Sequence, residues 1–346
     1  MRRLLALCLV FCLVPLAGCT VIVCTSFPNC GRYVLIPGAP DVQPPLRLIP
    51  PPPFVRPPPP RQVAVVHCSG AGPAPEKPYV GPGDIAPGAT AYYGLRAYDA
   101  RYAEPGTNLA VKLRRQSDQL TVDFAILSTG AFDAARASAF CAGTTCYVTK
   151  WYDQTGHGDD ILQAVPGQQP ELDFRACGGD PAIMFSDGRN TYLSGSFPWV
   201  AGNAPWTSQV ALLDVRPDDR YSPLFDYGLM DGNESLFALV EAAGNEVFSS
   251  SIYGTDDVSD VASSAPVALT IYSSGTELGG AANGLTWSKP FSGSDITSTT
   301  FNMGSSPAQP GTALTGGMGE VILYPRKLPD GVIAKLAANE RAYFGF

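Results

Sequence analysis

Between residues 37 and 60, twelve of 24 residues are proline, with unbroken runs at 50–53 and 57–60. Proline fixes φ and removes the backbone donor, so neither a helix nor a central strand forms there. The segment reads as extended polyproline II at about 3.1 Å per residue, a spacer on the order of 70 Å. It divides the chain into a short head and one long C-terminal part. Residues 61–80 stay rich in Pro and Gly, so the Pro-rich linker runs over 37–80 and the folded domain over 81–346. Only 16% of the chain is charged, and it holds 36 Gly and 33 Pro, which disfavours a coiled coil or helical bundle. The formal net charge is -8, from 23 basic and 31 acidic residues. No basic patch is available to neutralise phosphates, which excludes a nucleic-acid partner.

The head reads as an export signal. Met1-Arg2-Arg3 is a positive start, and the apolar run 4–16 is too short to span a bilayer. Its end, Leu16-Ala17-Gly18-Cys19, resembles a bacterial lipobox. That resemblance implies a signal peptide over 1–18, lipidation of Cys19, and a mature N-terminal segment over 19–36. Thr20, rather than Asp, implies sorting to the outer membrane. The expected product is an exported, membrane-anchored lipoprotein of the periplasm or cell surface. Of nine cysteines, Cys8 and Cys12 leave with the signal and Cys19 carries the lipid, leaving six structural candidates.

From Gly81 onward, short apolar runs are broken by Gly, Pro, Asn and Asp. Residues 120–127, 146–152, 209–215, 235–240, 267–272 and 320–324 have strand character. Two short helices are expected, one over 133–140 capped by Asp133 and one over 329–343. The fold class is therefore all-β, a two-sheet sandwich with a short C-terminal helix. Cys141 and Cys146 are five apart with Gly between them. In an exported protein, this spacing points to a local disulfide. Cys24–Cys30 is a second pairing by proximity, which leaves Cys68 and Cys177.

The run from Cys141 to Cys146, followed by Trp151-Tyr152-Asp153-Gln154-Thr155-Gly156-His157-Gly158, resembles α-L-arabinofuranosidase B, glycoside hydrolase family 54. Residues 81–85, 95–98, 111–123, Phe225-Asp226-Tyr227-Gly228 and 316–324 extend the resemblance, which is patchy after Asp173. It implies a concanavalin-like, jelly-roll sandwich, no cofactor, and a polysaccharide substrate. It also implies retaining hydrolysis by a Glu nucleophile and an Asp acid/base. The nucleophile region corresponds to 240–248, whose carboxylates are Glu241 and Glu246. The acid/base loop corresponds to 302–311, which contains no carboxylate. Pro223-Leu224 replace the family's vicinal cysteines, and Gly83 stands where a cysteine is expected.

The resemblance places Asp226 and Tyr227 at the sugar. Trp199 and Trp206, in a Gly/Pro/Asn-rich loop, are candidate stacking platforms. Trp151 sits in a strand pattern and reads as core. Asp231 and Glu234 are further candidate acids. Asp153 and Gln154 are expected to organise a turn or a core network. His157 reads as loop surface, and Asp159, Asp160, Asp256, Asp257 and Asp260 lack the ligand spacing of a calcium loop, so no metal is assigned. Three functions compete: a tethered arabinofuranosidase, a carbohydrate-binding module with a degenerate site, and a structural or interaction lipoprotein. Globomycin treatment of expressing cells is expected to accumulate a precursor retaining residues 1–18; an unshifted chain would refute lipidation at Cys19.

Overall fold

The structure is a computed structural model that describes residues 19–26, 29–35, 78–103, 108–177, 179–215, 221–229, 235–242, 246–252, 256–262, 265–305 and 312–346. For 19–35, 177, 221 and 235–262 it describes the backbone. The expected signal peptide and nearly all of the expected Pro-rich linker lie outside these residues. The chain divides into two compact units, Met1–Val63 and Ala64–Phe346. The first contains an antiparallel hairpin, Cys19–Ser26 with Asn29–Leu35, whose register sets Cys24 opposite Cys30.

The second unit is a β-sandwich of antiparallel strands closed by a C-terminal helix. One layer centres on Gly316–Tyr324, paired with Trp206–Val215 on one side and Ala91–Gly94 on the other. Val267–Ser273, Glu277–Ala282 and Leu285–Pro290 extend it. The other layer includes Tyr221–Gly228, Thr300–Met303, Leu193–Ser196, Ile161–Leu162 and Cys146–Trp151. All six expected strand segments form, and the first helix spans Ala134–Phe140. Asp133 caps it, accepting from the Arg136 backbone N–H at 3.1 Å.

Strand alternation sets which side chains meet. A β-strand sends successive residues to opposite faces. Phe225, Tyr227, Phe301 and Met303 from one layer and Val210, Leu212, Val321 and Leu323 from the other fill one shared core. Tyr93 bridges the layers, with its ring centroid 6.1 Å from Phe301 and 6.1 Å from Trp151. The outer face of the Gly316–Tyr324 strand presents Ile322 and Tyr324 to the helix Asp330–Phe344, which returns Ile333 and Leu336. Each such buried aliphatic side chain contributes about 1.5–3 kcal/mol. Gly345 ends the helix at φ 73°, a left-handed conformation that favours glycine.

Beneath the helix lies a fully buried charge network. Glu320 receives Arg96 Nε at 2.5 Å and Nη2 at 2.6 Å, and Tyr92 Oη donates to it at 2.7 Å. Arg96 Nη1 donates to Asn339 Oδ1 of the helix at 2.7 Å. Glu340, one residue further, accepts from Gln209 Nε2 at 2.7 Å through Oε2, while no donor points at its Oε1. Burial and the neighbouring Glu320 hold Glu340 well above the usual carboxyl range. Burial pushes Glu320 upward as well, but Arg96 prevails and holds it below its ordinary value.

The two carboxyls affect stability with opposite signs. Glu340 keeps a proton in the folded state that the unfolded chain releases, so its contribution declines as pH rises above the ordinary carboxyl range. Glu320 contributes above that range and loses its contribution in acid. Glu340→Gln is expected to flatten the decline in stability above the ordinary carboxyl range, gaining on the parent as pH rises. Urea midpoints measured on either side of that range check this; an unchanged slope would refute the raised Glu340 carboxyl.

Candidate functional site

The alternation that buries Phe225 and Tyr227 turns Asp226 outward, away from the inter-sheet core. Thr300–Met303 runs beside this strand with Asn302 directly opposite Asp226. Asn302 Nδ2 donates to Asp226 Oδ1 at 2.7 Å. Both residues are nearly buried, at 4% and 7% exposure. They line a cavity of about 670 Å³ together with Gln163, Tyr192, Ser194 and Thr300, and with Leu162 and Leu229 also facing it. Gln163 is fixed from behind, since its Oε1 accepts the Val165 backbone N–H at 2.9 Å. Gln169 donates to the Gln163 carbonyl at 2.8 Å and accepts from Arg114 Nε at 2.7 Å. The cavity thus has a carboxylate, two amides and three hydroxyls on a rigid frame, a donor and acceptor set suited to a polyhydroxylated ligand.

Several residues expected at the sugar lie elsewhere. Trp199 is 4% exposed and packs in the core against Trp206, Phe225 and Tyr227, with centroids 5.3, 5.8 and 5.4 Å away. Its indole Nε1 donates to the Tyr324 carbonyl at 3.0 Å, tying the two layers together. Trp206 is equally buried at the start of Trp206–Val215. Neither offers a face to a sugar, because both rings fill inter-sheet volume. Tyr227 is also core, and its hydroxyl accepts from the Trp199 backbone N–H at 2.8 Å and donates to the Phe197 carbonyl at 3.1 Å. Tyr227 therefore supports the Asp226 strand rather than touching the cavity.

Glu241 and Glu246 flank a hairpin turn, with Glu241 opposite Val247 and Glu246 opposite Ala242. The residue opposite Asp226 on that strand is Phe237. Glu241 lies four positions beyond it, about 13 Å along the strand. Asp231 and Glu234 lie outside the described residues. Asn302, Gln163 and Tyr192 were not singled out by sequence. Asn302 falls in the segment matched to the acid/base loop, but its pairing with Asp226, 76 residues away, exists only through strand register.

The loop after Trp151 has a structural role. Asp153 Oδ1 accepts the backbone N–H groups of Tyr92 at 3.1 Å and Thr155 at 3.0 Å, and its Oδ2 accepts that of Gly158 at 3.2 Å. Gln154 bridges the Tyr98 N–H and the Gly94 carbonyl at 3.0 and 2.8 Å. Asp153, His157 and Asp159 bring ligand atoms within 4.8 Å of one another. The Asp153 carboxylate is, however, engaged by the loop's own donors, and His157 Nδ1 lies 2.8 Å from the Thr90 carbonyl. Burial and Asp153 raise the Asp159 carboxyl above its ordinary value. The expected disulfide is present, with Cys141 and Cys146 bonded at a Cα–Cα distance of 5.7 Å.

The described domain has the architecture of the concanavalin-like sandwiches that carry glycoside hydrolase sites. Residues 82–199 match the family described as Alpha-L-arabinofuranosidase B, catalytic. Over 92 residues the chain is 40% identical to an alpha-L-arabinofuranosidase of Hypocrea jecorina, covering 25% of this chain and 18% of that protein. It is 41% identical over 93 residues to a probable alpha-L-arabinofuranosidase B of Aspergillus flavus, with the same coverage. The chain therefore spans less than a fifth of these curated relatives. A solved GH54 α-L-arabinofuranosidase soaked with a cyclic sulfate inhibitor matches with TM-score 0.62 and 18% identity, covering 76% of this chain and 65% of the other. An arabinofuranosidase complexed with arabinofuranosyl-α-1,2-xylobiose matches with TM-score 0.61 and the same identity and coverage. Over residues 82–199 the chain is similar to the catalytic domain of the arabinofuranosidase B family, and its sandwich has the fold of the solved GH54 enzymes.

Asp153→Ala is expected to destabilise the domain by about 2–4 kcal/mol, because the buried Tyr92 N–H and two N–H groups of the loop lose their acceptor together. Urea unfolding of the variant checks this, and a change below about 0.5 kcal/mol would remove Asp153 from its structural role.

Proposed function

We propose that this chain is an envelope lipoprotein whose sandwich binds arabinofuranose-bearing polysaccharide in the Asp226 cavity, held off the membrane by the Pro-rich segment and a lipid on Cys19. The observation that carries this reading is the Asp226–Asn302 pair at the floor of the cavity. Asn302 engages Oδ1 of the carboxylate, and the aligned acid is a charged acceptor for sugar hydroxyls. Thr300, Ser194 and Tyr192 add hydroxyls that both donate and accept. The GH54 relatives, one of them complexed with arabinofuranosyl-α-1,2-xylobiose, support the choice of sugar.

Retaining hydrolysis needs two carboxyl groups about 5–5.5 Å apart. Among the described residues lining the cavity, Asp226 is the one carboxylate. This observation favours recognition over turnover. Hydrolysis is the second reading, and it rests on Glu241 or Glu246, whose side chains lie outside the description.

On a glycan array, the full chain is expected to retain arabinofuranosyl glycans, and Asp226→Ala to weaken that binding by about tenfold or more. Turnover of 4-nitrophenyl α-L-arabinofuranoside is expected to be weak or nil. Robust turnover abolished by both Glu241→Gln and Glu246→Gln would replace the binding reading with the hydrolytic one. No arabinofuranosyl binding at all would reject the sugar site.

A further inference from the structure

The cavity floor is polar, but part of its rim is not. Leu162 is 46% exposed and Leu229 is 51% exposed, and both face the cavity. They are two of the seven large hydrophobic side chains exposed among the described residues, and both line this one opening. Their exposure follows from local geometry. In the two-residue strand Ile161–Leu162, Ile161 is fully buried in the core, so alternation sends Leu162 to the outer face beside Ser194. Gly228 has φ 109°, and the chain leaves the strand there and carries Leu229 out at the rim.

A free pentose matches only half of this surface. Its hydroxyls suit Asp226, Asn302, Thr300 and Ser194, while half-exposed leucines remain in water. Exposed apolar side chains at the mouth of a cavity with a polar floor suit a ligand that has both a polar and an apolar part. We propose that the cavity is specific for arabinofuranose carrying an apolar O-linked substituent, an aryl or acyl group, which seats against Leu162 and Leu229 while the sugar meets Asp226 and Asn302. This rests on the sugar-binding reading above and narrows its ligand class. It also assigns Leu162 and Leu229 as specificity-determining residues, separable from the polar residues that hold the ring.

The test compares methyl and phenyl thioarabinofuranosides, which resist hydrolysis, by calorimetric titration of the full chain. The phenyl ligand is expected to bind about tenfold tighter than the methyl ligand. A chain carrying both Leu162→Ser and Leu229→Ser is expected to lose that preference and keep its affinity for the methyl ligand. Both positions are exposed, so the variant's far-UV spectrum and urea midpoint should match the parent's. Asp226→Ala should weaken both ligands. Equal affinity for the two ligands, or a preference that survives the double substitution, would overturn the assignment while leaving the sugar site standing. If neither ligand binds, the sugar-binding reading falls and this one falls with it. Tight phenyl binding that survives Asp226→Ala would show an apolar surface independent of sugar, and overturns the assignment too.

Discussion

The ion pair between Arg96 and Glu320 is the contact from which most of the second unit can be traced. Both groups are fully withdrawn from water, so neither is stable without the other, and removing one partner of such a pair costs about 3–5 kcal/mol. Glu320 sits in the central strand, and Arg96 closely follows the strand paired with it. Through Asn339 the guanidinium also holds the C-terminal helix. Two residues before Arg96, the Gly94 carbonyl accepts from Gln154, and Tyr92 donates its backbone N–H to Asp153. Those two residues shape the loop that leads into Ile161, Leu162 and Gln163. A buried charge on one layer is thus connected, bond by bond, to the wall of the cavity on the other.

Strand alternation explains why the cavity has its composition. The strand Tyr221–Gly228 must give Phe225 and Tyr227 to the core, which leaves Asp226 for the opposite face. The same applies to Phe301 and Met303 around Asn302. The aromatic residues of the region therefore support the site from behind and do not line it. Trp199, with its indole bonded to Tyr324, ties the two layers together behind that floor. Among the described residues, the chemistry left on the outer face is a carboxyl, amides and hydroxyls beside two exposed leucines.

Much of this was legible from the chain. The strands were found because period-2 apolar patterning survives without tertiary information, and Asp133 announced its helix because a cap is a local interaction. The short Cys141–Cys146 spacing allowed the disulfide to be read directly, and the Trp151–Gly158 run carried the family resemblance. Trp199 and Trp206 were misjudged because their Gly- and Pro-rich surroundings describe the backbone locally and say nothing about which side chain another layer will cover. Asn302 went unnoticed for the same reason: its partner is 76 residues away, and nothing near it in sequence marks it.

By itself the sequence determined an all-β domain, its short helices, its local crosslink and a resemblance to arabinofuranosidase B, because each depends on neighbouring residues or on a repeating pattern. Only the tertiary structure decided that the tryptophans are core, that the Glu340 carboxyl is buried beside Glu320, and that Asp226 and Asn302 share one polar floor beneath a leucine rim. Those outcomes depend on which elements become neighbours, and for Asp226 and Asn302 on strand register, where a slip of one residue would turn the side chain to the other face.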